Sequence, residues 1–214
     1  IFEQLNNYKN EKDKFGTAIP PRPTNLPIVC ALLNIKTIVD FGGSSGWNYE
    51  FLKDAVKSSD LELYDVIEVD EINKKFNKIN SLIPNEIIKH ISIDQVKQTY
   101  DILYINSVLQ YFKDNNILKR LINTTKAKYL LFDDLFAGDI PDYFTAQKYY
   151  DTSIPVRFIN FTKFNNILRQ NDYELLCSLP YYTKFFNDYK PLPMSNFPVK
   201  YRIRYSKSVL YEAK

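Results

Sequence analysis

The residue types able to do chemistry gather first in Thr37-Ile38-Val39-Asp40-Phe41-Gly42-Gly43-Ser44-Ser45-Gly46. Three of the chain's five glycines fall in this stretch. A backbone kept that bare lets N–H groups approach a ligand closely. What the turn lacks narrows the ligand. A P-loop closes on Lys-Ser or Lys-Thr, whereas Trp47-Asn48 stands here. A dinucleotide fingerprint spaces its glycines G-x-G-x-x-G, and counted from Gly42 those positions hold Gly42, Ser44 and Trp47. Asp40, just ahead of the glycines, repels pyrophosphate and suits a ligand with a cationic end. The plainer alternative is a glycine turn that only joins a strand to a helix.

Other acids recur at the ends of apolar runs. Glu68 lies 22 residues beyond Gly46, near the offset at which nucleotide-binding sheets place a carboxylate on ribose hydroxyls. Asp70 competes for that role, although an acid opening the next helix explains it as well. Asp94 could accept from an adenine amino group or cap a turn. Asn106-Ser107 closes a fourth apolar run. Asp133-Asp134 closes a fifth, where two adjacent carboxylates could leave one poised to take a proton. A cap is the alternative for that pair. His90, the single histidine, reads as packed against the sheet.

The elements that must position these residues alternate. Strands are expected at Thr37–Phe41, Tyr64–Val69, Ile87–Ile93, Tyr100–Ile105 and Lys128–Phe132, from short β-branched runs. Helices follow from apolar spacing at Trp47, Phe51, Leu52, Ala55 and Val56, over 71–80, at Ile117, Leu118, Leu121 and Ile122, and over Phe161–Arg169. A further strand begins at Tyr173. Val199–Tyr205 and Ser208–Tyr211 suggest a closing antiparallel strand or hairpin. Five strand–helix rounds predict a mostly parallel α/β sheet with helices on both faces and the last strand antiparallel. Residues 1–15 read as an amphipathic helix, 16–27 as a proline-marked lead-in, Ile28–Leu33 as a buried helical turn and 135–160 as an aromatic-rich insertion. An insertion after a strand's carboxyl end hangs over the site as a lid, or simply packs its rings on the surface.

With 214 residues, 45% of them hydrophobic and 25% charged, the chain is expected to be one globular domain. A net charge of +3 is too weak to imply nucleic acid. Lys200, Arg202 and Arg204, alternating with Tyr201, Ile203 and Tyr205, read as a solvated sheet face. Cys30 and Cys177 fit no metal or redox pattern and read as small core residues, and no metal site is expected. The absence of a long apolar stretch or signal peptide leads to a cytoplasmic expectation.

The spacing Asp-x-Gly-x-x-x-Gly, filled by Asp40, Gly42 and Gly46, resembles the first motif of class I methyltransferases. Val66-Ile67-Glu68, Ser107-Val108-Leu109-Gln110-Tyr111, Leu130-Leu131-Phe132-Asp133, Thr145-Ala146-Gln147 and Ile154-Pro155-Val156-Arg157-Phe158 extend the likeness. Together they resemble a bacterial family of such enzymes found in surface-polysaccharide (capsule) gene clusters. Asp134 departs from that family's Arg, and Arg157 from its Trp. The resemblance implies a three-layer Rossmann-like sheet and S-adenosylmethionine as cofactor, with S-adenosylhomocysteine as product. It implies a cofactor site of Asp40, Gly42, Gly43, Gly46, Glu68, Asp94, Asn106 and Ser107, and a small-molecule or sugar acceptor. Asp133 is then the candidate base, with Asp134 second. Tyr111, Gln147 and Arg157 are candidates to orient the acceptor, Arg157 favouring an anionic one.

Three rivals remain open on sequence. A nicotinamide or nucleotide-sugar oxidoreductase conflicts with the failed dinucleotide pattern and lacks a Tyr-x-x-x-Lys pair. A nucleic-acid methyltransferase conflicts with Asn106-Ser107-Val108-Leu109 at the fourth strand end. A silent cofactor-fold partner subunit conflicts with nothing.

Overall fold

The computed structural model describes residues 24–55, 61–80, 87–149, 151–182, 184–185, 188–189 and 191–214. The expected helix over 1–15, most of the lead-in and Val56 lie outside them.

Helices run over Leu26–Leu33 (α1), Trp47–Ala55 (α2), Asp70–Asn80 (α3), Asn116–Thr125 (α4) and Phe161–Arg169 (α5). The first six strands are Thr37–Phe41 (β1), Leu63–Ile67 (β2), Ile88–Ile91 (β3), Ile102–Asn106 (β4), Tyr129–Leu135 (β5) and Ala137–Gly138 (β6). Then come Tyr143–Tyr149 (β7), Thr152–Asn160 (β8), Tyr173–Tyr181 (β9), Lys184–Phe185 (β10), Asp188–Tyr189 (β11) and Ser206–Ala213 (β12). The main sheet has the order β3-β2-β1-β4-β5-β12-β9. β1 to β5 pair in parallel, and β12 lies antiparallel between β5 and β9. The strand order reverses between β1 and β4, the switch point at which open sheets bind ligands.

Both faces are covered, so the central strands are apolar on both sides. Ile38, Tyr64, Val66, Ile102, Tyr104 and Leu131 meet Leu26 and Cys30 of α1 and Leu52 of α2. Val39, Leu103, Ile105, Leu130 and Phe132 face the other way, against Leu118, Leu121 and Ile122 of α4 and Phe164 and Leu168 of α5. Phe132 packs edge-on against Phe164, with centroids 5.2 Å apart. Truncating such a ring costs about 3–5 kcal/mol.

Residues 135–160 fold as the short strand β6 and the β7–β8 hairpin. Phe136, Ile140, Tyr143 and Phe158 form a separate small core with Leu192, Met194, Phe197 and Ile203. Tyr143 stacks on Phe158 at 4.9 Å. β8 also packs beside the single 3-10 turn Leu109–Tyr111 that follows β4.

Four expectations are corrected. Val199–Tyr201 is a 3-10 turn, not the start of the last strand. Arg202 turns back onto the carbonyls of Phe197 and Ser195, so the basic alternation is not a sheet face. Cys177 is exposed on β9, at the edge of the sheet, while Cys30 is buried as expected. Ile28 and Leu32 lie on the exposed side of α1, so that segment is buried on one side only.

Candidate functional site

β1 ends in a turn with two glycines at positive φ, Gly42 at 76° and Gly46 at 78°. At Gly42 an added Cβ would stand 2.4 Å from Val108 Cγ2, and at Gly43 one would stand 2.4 Å from Asp40 Oδ2. Glycine is therefore required by close approach as well as by backbone angle. Asp40 is buried beneath the turn. Its Oδ2 accepts from Tyr64 Oη at 2.5 Å and from Asn48 Nδ2 at 3.0 Å. Burial pushes its carboxyl up to about 6; the two hydrogen bonds oppose that rise and the nearby Glu68 charge adds to it.

Glu68 follows β2. Its Oε1 accepts the Ser44 backbone N–H at 2.9 Å, and Oε2 accepts that of Val69 at 3.3 Å. A carboxylate has about four lone-pair positions, so this one can still take two hydroxyl donors. On the other side of Ser44, His90 Nε2 lies 2.9 Å from its carbonyl oxygen. A carbonyl only accepts, so Nε2 carries the hydrogen. The His90 ring is buried and stacks on Phe76, which agrees with the packed role expected of it. Burial holds its pKa down. Asp70 is exposed at the start of α3, where a carboxylate favours the helix N-terminus. Only Glu68 of the two acids contacts the glycine turn. Exposed Val69 beside it was missed in sequence. Asp94 lies in the 3-10 turn after β3, where its Oδ1 sits 2.5 Å from Arg120 Nη2. Neither of its two expected roles anticipated this ion pair.

The carboxyl ends of β4 and β5 hold a second polar group. Ser107 has φ 56° and Asp134 φ 52°, strained angles for residues with side chains. Asp134 is buried, accepting from Ser107 Oγ at 2.8 Å and Ser206 Oγ at 2.6 Å. Asp133 is buried too, and its pKa is raised, chiefly by that burial. It accepts from Ser208 Oγ at 2.5 Å, the Asn25 N–H at 2.9 Å, and Thr24 Oγ1 and Tyr104 Oη at 3.2 Å. These contacts give the pair the holding role that the sequence offered as the alternative to a base. Asp133 is filled by hydroxyl and amide donors, Asp134 accepts from two serines, and together they tie β5 to β4, β12 and residues 24–25. Gln110, also missed, is buried and donates from Nε2 to Ser107 Oγ at 2.9 Å. Asn106 donates from Nδ2 to Tyr104 Oη at 2.8 Å.

The three expected acceptor-orienting residues separate. Tyr111 is exposed next to the β4 end. Gln147 is exposed on β7, opposite Ile154. Arg157 is buried, giving Nη1 to Asn115 Oδ1 at 3.0 Å, with Nη2 3.9 Å from Asp142 Oδ1. Its guanidinium thus faces Asp142 within the hairpin. Among the described residues no cluster of His, Cys, Asp or Glu could hold a metal, and no helix is long and apolar enough to cross a membrane.

No protein-family model and no curated protein matches this sequence. Solved structures do match. A glycopeptide N-methyltransferase complexed with S-adenosyl-L-homocysteine superposes with a TM-score of 0.59 at 8% identity, over 89% of this chain and 90% of that one. An S-adenosylmethionine-dependent methyltransferase from Clostridium acetobutylicum gives 0.55 at 12% identity, over 98% of both chains. Magnesium protoporphyrin IX methyltransferase from Synechocystis, with bound S-adenosylmethionine, gives 0.51 at 11% identity, over 88% and 75%. At such identities the likeness establishes the architecture. The sheet has the Rossmann-like order of class I methyltransferases.

Proposed function

We infer that this chain binds S-adenosylmethionine across its glycine turn and transfers the methyl group to a small-molecule acceptor. The carrying observation is the turn itself. Glu68 holds Ser44 at the switch point, buried Asp40 lies beneath, and no phosphate-binding lysine closes the loop. Ser45 Oγ in the same turn is buried and without a partner, an orphan that a bound ligand would satisfy. These residues fit the cofactor. Glu68 would hold the ribose hydroxyls, Val69 would offer an apolar surface to the adenine, and the acids would favour the cationic end.

When bound, the cofactor supplies a methyl group already activated on a sulfonium. The chain's part is alignment, which can supply most of the acceleration. Asp133 and Asp134 fix the β4–β5 edge. The β7–β8 hairpin, packed beside the 109–111 turn, would shield the acceptor from water as a lid. A sugar acceptor of surface-polysaccharide assembly is the finer form of this reading. It rests on the resemblance of Ser107–Tyr111 and Thr145–Gln147 to that family.

Calorimetric titration with S-adenosylmethionine, S-adenosylhomocysteine, NAD and ATP tests the reading. Binding of the first two alone supports it. Binding of NAD or ATP in preference would replace it with an oxidoreductase or nucleotide-binding role.

A further inference from the structure

Gln110 carries an amide carbonyl that nothing in the fold explains. The side chain is buried, 2% exposed, and its Oε1 has no hydrogen-bond partner. The amide cannot simply be turned over. Ser107 Oγ has one hydrogen, and at 2.8 Å it goes to Asp134 Oδ2, an oxygen that only accepts when ionised. Ser107 Oγ must then accept from Gln110, which fixes Nε2 toward Ser107 and leaves Oε1 pointing elsewhere. A buried amide oxygen without a partner is the kind of group that binding sites keep for a ligand.

Its surroundings define what that ligand is. Gln110 lines a narrow cleft between the β4 and β5 ends with Ser107, Leu109, Phe132, Asp134 and Leu135. The cleft leaves no room for a resting water, so solvent does not satisfy the oxygen. Beside Ser107 and Gln110, its polar lining is two buried carboxylates, Asp133 and Asp134, with no cation among the lining residues. Arg157, the buried cation of the neighbouring hairpin, is taken by Asn115 and Asp142. Glu68 and the glycine turn lie on the β1–β2 side of the switch point, so this cleft is on the acceptor side.

We propose that Gln110 Oε1 receives an O–H or N–H of the methyl acceptor, and that the acceptor's reacting end carries no negative charge. This rests on the methyltransferase reading for the word acceptor, though not for the site. A carboxylate or phosphate would meet two carboxylates and an amide oxygen without a counter-charge. A hydroxyl or amine would satisfy the orphan and present its lone pair beside the switch point. Entry of the donor requires the 109–111 turn to shift, since the oxygen is shielded in the arrangement described.

Benzyl alcohol, benzylamine and benzoate are matched probes, sharing one ring for Phe132 and Leu135 and differing in the head group. They are titrated, by ligand-observed NMR, into the full chain with and without saturating S-adenosylhomocysteine, and soaked into crystals. The expected result is that the alcohol and amine bind at least tenfold more tightly than benzoate, with the head group on Gln110 Oε1. Gln110→Leu should bring the three within twofold while leaving S-adenosylhomocysteine affinity within twofold. Benzoate binding as tightly as the alcohol, an unoccupied cleft, or a preference surviving in Gln110→Leu would overturn the proposal. The ranking on the natural sequence decides the matter even if the variant fails to fold. Failure to bind S-adenosylhomocysteine overturns the methyltransferase reading instead, and leaves the unloaded titration to judge Gln110.

Discussion

The two halves of the sheet's carboxyl edge are built in opposite ways. On the β1–β2 side the key contacts join residues near in sequence: Asn48 with Asp40, 8 apart, and Ser44 with Glu68, 24 apart. On the β4–β5 side they include contacts between residues a third to a half of the chain apart. Ser206 reaches Asp134 across 72 positions, Ser208 reaches Asp133 across 75, and Asn25 reaches Asp133 across 108. Acids on the first side remain able to receive a ligand. Those on the second hold distant parts of the fold together. A strand-end acid is thus a functional candidate only until its donors have been counted.

Perturbing each half should separate these roles, and the largest effect is expected at Gly42. Gly42→Ala places a Cβ against Val108 at a positive φ, combining left-handed strain with overpacking. A loss of about 2–5 kcal/mol should appear in urea unfolding. A loss below 1 kcal/mol would show that the turn is looser than its geometry.

Asp40 makes the next difference. Its pKa rises from 3.8 to about 6 on folding, so the folded state holds its proton more tightly than the unfolded state. Its contribution is intact below pH 4, falls away as pH rises through about 6, and is flat above. The rise corresponds to about 3 kcal/mol. The stability difference between the natural sequence and Asp40→Asn, followed from pH 4 to 7, should shift by that order in favour of the variant. A pH-independent difference would mean that Asp40 stays ionised throughout.

Asp133→Asn should cost about 2–3 kcal/mol by weakening charge-assisted bonds to Ser208 and Asn25. At about 2–4 °C per kcal/mol, the melting point should fall by roughly 4–12 °C. Cofactor affinity per folded molecule should hold. Glu68→Ala should behave in the reverse sense, weakening S-adenosylmethionine binding by about 1.5–3 kcal/mol with little change in melting. If both variants lost affinity equally, the division of labour would fail. Arg120→Ala removes an exposed pair with Asp94 and should cost no more than about 1 kcal/mol.

How much could be read from the letters follows the same division. β1 and α5 agree residue for residue with their apolar spacing, and the sheet's parallel core follows from the alternation. Glu68 could be placed because strand ends and glycine turns are local features. The partners of Asp133 could not, since nothing in Leu130–Asp134 signals that Asn25 and Ser208 will arrive with donors. The neighbours of Arg157 were hidden for the same reason: Asp142 reaches it only after the insertion has folded into a hairpin. Gln110 carried no periodic or compositional signal. It stands out only once its burial and the direction of the Ser107 hydroxyl are known.

A crystal structure of the chain with S-adenosylhomocysteine tests the central claim most directly. The account predicts ribose hydroxyls within hydrogen-bond reach of Glu68, adenine beside Val69, and the sulfur at the β1–β4 switch point facing the Gln110 cleft. A ligand bound away from the glycine turn, or with its ribose untouched by Glu68, would contradict it.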